Sequence, residues 1–336
     1  MLAVRKSAFC KSPAFRKSPA FRKSIVAAAF AAGLVFTGSQ AKAQDFVNIL
    51  TGGTSGAYYP IGVALSNAIG KGVPNAKVQV QPTKASVENL NLLNGGKGEV
   101  AFTLGDSLSD AWNGKADAGF AAKLGNLRAM AGIYSNYIQI VASANSGIKT
   151  LADLKGKRIS VGAPKSGTEL NARAVLAAAG LKYSDFSKVE YLGFGESVDL
   201  MKNRQIDVTL QSAALGVASI RDLANSLDIV IVSVPTDMVP KIGDPAYMAT
   251  SIPAGTYKGQ DAAVPAVAVG NFLVTSAKVS DDLVYKMTKA TFDNIDILHA
   301  SHAAAKAITL ENAAKGAPVP YHPGAIKFYK EKGLMK

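Results

Sequence analysis

The sequence predicts an α/β protein of two similar lobes that close on each other like a clamshell, with a ligand cleft between them. Three observations carry that expectation. A strand, a loop rich in Gly, Ser and Thr, and a helix follow one another from Asp45 and again from Arg158, so the chain builds the same unit twice. Around each copy, short apolar runs alternate with segments of helical period, the order of an α/β sheet. Beyond residue 43 about 290 residues remain, a length that fits two lobes better than one compact core.

The first unit opens with Phe46, Val47, Ile49 and Leu50 as a buried strand. Gly52, Gly53 and Gly56 then allow a tight loop. Pro60 is expected at the first helical position, and Ile61, Ala64, Leu65, Ala68 and Ile69 recur on one face until Gly70 and Gly72 end the helix. Residues 77–81 alternate as a strand, Ser86 is expected to cap a helix to Asn94, and 99–104 make the next strand. Gly105-Asp106-Ser107 follows at the end of the strand where open α/β sheets bind ligands, before a helix that stops at Asn113-Gly114. Two strands, 128–134 and 137–143, are expected to carry the chain across.

The second unit begins with a short amphipathic helix near 148–155 and the strand from Arg158. Ser166 and Glu169 form an S-x-x-E capping pattern ahead of a helix spanning 170–179. A further strand, helix and strand end at Gln211-Ser212. Residues 230–234 are expected to return the chain, 235–265 to be rich in turns, and 281–302 to form the longest helix, packed over the first lobe. The expected division is 1–43 as a leader, 44–136 with 233–336 as lobe 1, and 137–232 as lobe 2.

Residues 1–43 have a secretory pattern: basic residues to Lys23, an apolar run from Ile25, and Ala41-Lys42-Ala43 as an A-x-A cleavage site. The run is about 14 residues, short of the roughly 20 needed to cross a bilayer, so a soluble exported protein is expected. The leader holds eight Lys and Arg, and its removal brings the formal charge from +13 to +5. With no basic stripe interleaved by aromatics, nucleic acid is excluded as a partner. The only cysteine, Cys10, leaves with the leader, so no disulfide or thiolate metal site is expected.

The two loops define the candidate site. Helix N-termini after Thr54-Ser55 and after Ser166-Gly167-Thr168 each offer unpaired amides and about half a positive charge, which suits a carboxylate. Lys165 either adds a charge-assisted bond or is simply solvated. Tyr58 is favoured over Tyr59 to cover the ligand. Asp106, with Ser107, either accepts from the ligand or caps its own helix; Gln211 and Ser212 either donate neutral bonds or form a polar turn.

Four segments in order, Thr51 to Gly62, Ser146 to Thr168, Ile252 to Gln260 and Tyr321 to Ala325, resemble the TAXI-type solute-binding proteins of TRAP transporters over nearly the whole mature chain. The resemblance implies the type II periplasmic-binding-protein fold. It further implies a monomeric receptor in the periplasm that takes a small organic anion or amino acid, such as 2-oxoglutarate, a C4 or C5 dicarboxylate or glutamate. Delivery would be to small and large permease subunits, separate or fused. The chain departs from the pattern at Leu104-Gly105-Asp106, where many relatives have Gln-Ser-Asp, and at Ala214-Leu215-Gly216, where they have Gly-x-Pro.

An enzyme is the rival reading, and neither G-x-S-x-G nor H-E-x-x-H is present. His299, His302 and His322 all lie near the C-terminus, and the pair His299 and His302 lacks a third ligand for a metal. Gly193-Phe-Gly-Glu-Ser-Val fails the third glycine of a dinucleotide fingerprint, so no cofactor is expected. A ligand-presenting subunit of a membrane sensor is the other alternative.

Overall fold

The computed structural model describes residues 44–336; the expected leader, its cleavage site and Cys10 lie outside the described residues. The chain opens with β1 (Asp45–Leu50), α1 (Tyr58–Gly72), β2 (Ala76–Gln81), α2 (Ser86–Asn94), β3 (Val100–Leu104) and α3 (Gly105–Asn113). β1 pairs in parallel with both β2 and β3. Pro60 is the third residue of α1, and Ser86 lies inside α2, whose N-cap is Ala85. The Ser86 hydroxyl instead accepts from the Leu104 amide at 3.1 Å, tying α2 to the end of β3.

The two expected crossing strands are one, β4 (Leu127–Ser143), 17 residues long. The second unit follows as β5 (Arg158–Ser160), α4 (Gly167–Ala178), β6 (Lys188–Glu190), α5 (Phe194–Lys202), β7 (Val208–Ala213), α6 (Ala218–Ser226), β8 (Ile229–Val232), α7 (Val239–Ile242) and β9 (Tyr247–Ile252). The expected helix near 148–155 shrinks to a 3-10 turn at Ala152–Leu154. Residues 229–232 do not return the chain, since β8 pairs only with the far end of β4. The return is β10 (Val264–Ser276), which pairs with β9, β4 and β3 in turn. All these strands belong to a ten-stranded sheet whose main path runs β2-β1-β3-β10-β4-β7-β5-β6.

The long strands β4 and β10 run through both halves of that sheet, and each half has its own core. On the first, Ile61, Leu65 and Ile69 of α1 pack with Met287, Leu298, Phe328 and Tyr329. Those partners come from α8 (Asp281–Asp293), α9 (Ile295–Ser301) and, after the short α10 (Leu310–Ala313), from α11 (Pro323–Glu331). Full burial of each such side chain contributes ~1.5–3 kcal/mol. The expected single helix over 281–302 is broken at Asn294, which caps both α8 and α9. On the second half, Ile159, Val175 and Leu210 share a core with Met238, Tyr247, Val267 and Val269. Residues 238–269 therefore pack with the part expected to end at 232.

Candidate ligand-binding cleft

Parallel strands deliver their loops to one end of a sheet, and both halves of this sheet do so toward the same space. A cavity of about 760 Å³ lies beyond the carboxyl ends of β1, β3, β5, β6 and β7. One wall is the 52–57 loop with Tyr58 and residues 83–86; the opposite wall is formed by Ala163, Pro164, Ser166, Gly167 and Thr168 and by 191–196. Tyr134, Asn136, Ser212, Ala213 and Ala214 line it from β4 and the end of β7.

Of the candidate residues, Thr54, Ser55, Tyr58, Ser166, Gly167, Thr168 and Ser212 all line this cavity. Ser166 is the N-cap of α4, its hydroxyl accepting from the Glu169 amide at 3.1 Å. Glu169 does not complete a capping box; its carboxylate holds Arg173 at 2.6 Å. The Tyr58 ring packs on Phe102 with centroids 5.0 Å apart, and its hydroxyl donates to Asn271 Oδ1. It is thus both a core residue and a wall of the cleft. Tyr59 is half-buried and does not line it.

Asp106, Ser107, Lys165 and Gln211 do not line the cavity, and each has a physical reason. Asp106 sits in the first turn of α3 and is buried between α3, α4 and β9. Asn171 Nδ2, the Tyr247 hydroxyl and the Ser107 amide donate to it at 2.5, 2.8 and 2.6 Å. Burial outweighs these bonds and pushes its carboxyl up to about 6. Ser107 is fully buried beside it. Lys165 has φ 61° and an exposed side chain, and its carbonyl accepts from the Glu88 amide across the cleft at 3.1 Å. Gln211 alternates to the other face from Ser212 and accepts from the Ser219 hydroxyl at 2.6 Å.

The cavity's electrostatics come from backbone, not from ionised side chains. The charged residues that line it, Lys84, Glu196 and Asp199, are all exposed. The first turns of α1, α4 and α5 contribute Tyr58, Gly167 and Phe194 to its walls, and α1 has no side-chain cap. Amide groups and helix dipoles of this kind attract an anion. The 193–196 turn, which in the sequence stands only as a failed dinucleotide fingerprint between a strand and a helix, lines the cavity. Tyr134 and Asn136 carried no signal, because nothing local shows which face of a 17-residue strand meets a cavity.

The histidines serve local structure. His302 and His322 cap their helices through Nδ1, accepting from Ala304 and Gly324 amides at 3.1 and 3.2 Å, and His299 bonds the Ile308 carbonyl at 3.0 Å. Among the described residues no group of three or more His, Cys, Asp or Glu is placed to hold a metal ion.

Comparison with solved structures places this architecture among clamshell binding proteins. It resembles the periplasmic binding protein BugD with a TM-score of 0.55 at 11% identity, covering 87% of this chain and 94% of that one. A second structure, described as a periplasmic transporter, matches with a TM-score of 0.55 at 11% identity over 88% and 95%. A protein of Bordetella bronchiseptica RB50 gives a TM-score of 0.51 at 21% identity over 85% and 82%. The fold is therefore a mixed α/β clamshell of the periplasmic-binding-protein kind. With its family model matched over residues 49–333, the chain belongs to the NMT1-like family.

Proposed function

We propose that this protein is the periplasmic solute receptor of a transport system and captures a small organic anion in the cleft between its two halves. The observation that carries the reading is a cavity walled by helix N-termini from both halves and lined by no buried charged side chain. Such a site neutralises a carboxylate through amide donors, without an arginine clamp. The family and the fold support a binding role, and the motifs shared with TAXI-type receptors support a TRAP permease as partner. The two halves act as jaws hinged where β4 and β10 cross. Closure excludes water, strengthens each bond to the anion and presents a shape that the membrane partner reads.

A thermal-shift panel of organic acids, amino acids and sulfonates tests this. A C4 or C5 dicarboxylate at a hundredfold excess over its Kd stabilises the protein by about 2.7 kcal/mol and raises its melting temperature. Failure of every carboxylate to move the melt contradicts the anion reading. Chemical change of the added acid on incubation contradicts the receptor reading in favour of an enzyme.

A further inference from the structure

Tyr134 and Ser212 stand out among the groups that line the cleft. Each side chain is more than nine-tenths buried, and neither hydroxyl has a hydrogen-bond partner among the described residues. Buried polar groups are nearly always paired, so two unpaired hydroxyls on residues that line one cavity require an explanation. Their neighbour Asn136 does not share it. Its amide nitrogen donates to the Ser212 carbonyl at 2.9 Å, and its oxygen accepts from Asn271 at 3.0 Å.

The backbone is arranged to hold Tyr134 there. Between the pairs Gly270 with Ser135 and Phe272 with Gly132 the ladder shifts register, so Ile133 and Tyr134 of β4 together oppose Asn271 of β10. That is a β-bulge, a device that re-aims a side chain at the expense of one regular ladder bond. Asn271 repairs the ladder by donating from Nδ2 to the Tyr134 carbonyl at 2.9 Å, while its Oδ1 accepts from the Tyr58 hydroxyl. The side chains of Asn271, Asn136 and Tyr58 are thereby paired, and the Tyr134 hydroxyl is left over. Burial holds it well above its ordinary pKa, so it stays protonated and remains a donor.

We propose that Tyr134 and Ser212 form a hydrogen-bonding subsite for an acceptor oxygen on the ligand, separate from the helix-terminal amides that hold its carboxylate. The proposal rests on the anion reading and narrows it. The ligand is an acid with a second carboxylate, carbonyl or amide oxygen. It carries no ammonium group, because no buried carboxylate lines the cavity to balance one. A site built to bond an oxygen rejects an analogue lacking it, since the site's own polar groups then stay unpaired.

Isothermal titration with glutarate, 5-amino-5-oxopentanoate, pentanoate and glutamate separates the possibilities. Glutarate and 5-amino-5-oxopentanoate are expected to bind the wild type at least about tenfold tighter than pentanoate, and glutarate tighter than glutamate. Tyr134→Phe and Ser212→Ala each narrow the first gap, the double variant closes it, and pentanoate binding is unaffected. Both variants keep the unliganded melting temperature, because neither hydroxyl has a partner to lose. An undiminished preference for glutarate in the folded double variant overturns the subsite while leaving the anion reading intact. A large drop in the unliganded melt of Tyr134→Phe overturns it too, by revealing a structural bond. If none of the acids binds the wild type, the anion reading fails and the subsite falls with it.

Discussion

The carboxyl of Asp106 follows the carboxyl end of β3, where an α/β sheet presents ligand-facing groups, yet it turns away from the cleft into a network with Asn171 and Tyr247. Position along the chain marked it as important, but the direction of its side chain depends on α4 and β9, which arrive from 65 and 141 residues away. The network instead bridges the two halves. Because burial holds the folded-state carboxyl at about 6 against an ordinary 3.8, the native state binds the proton more tightly than the unfolded chain does. Its stabilising contribution is greatest below about pH 4 and is lost as pH rises to about 6, a change of up to roughly 3 kcal/mol. Urea unfolding of wild type and Asp106→Asn between pH 4.5 and 7.5 measures this. The stability of wild type relative to the variant should fall as pH rises; a constant or rising difference would show that the carboxylate is held charged.

Elements were legible where their signal was local. The strand, glycine loop and helix at 45–72, the helix stop at Gly114 with φ 72°, and the Ser166 cap all appear as the sequence implies. What escaped was set by distant partners. β4 reads as two strands because the bulge at Ile133 and Tyr134 interrupts its pattern, and β10 was hidden behind a turn-rich stretch. Among the candidate residues, those of the two loops line the cavity, apart from Lys165, while Gln211 does not, since a strand's alternation is visible in sequence while its cavity-facing side is not. Ser166 lines the cavity and also serves structure, its hydroxyl accepting from the Glu169 amide. Ser166→Ala is therefore expected to cost the unliganded protein about 1 kcal/mol in urea unfolding, with Ser166→Gly milder. No loss on Ser166→Ala would show the cap contributes nothing and leave the hydroxyl wholly to the ligand.

On the scale of the whole molecule, the account depends on two halves meeting around the cavity. Their contact is close at Gly167, where a Cβ would come within 2.6 Å of Leu104 Cδ1, 2.7 Å of the Ser86 hydroxyl and 2.9 Å of the Ser107 hydroxyl. Those three atoms belong to buried residues of the first half, so they have no common direction in which to retreat. A methyl group at 167 acts as a wedge between the two halves. The most direct test of an anion held by closure is calorimetric titration of the wild type and Gly167→Ala with whichever dicarboxylate stabilises the wild type most. One saturable site in the wild type and at least tenfold weaker binding in Gly167→Ala, with its circular-dichroism spectrum unchanged, is the expected result. Equal affinity in both proteins would contradict it, because the anion would then be bound somewhere other than between the closing halves.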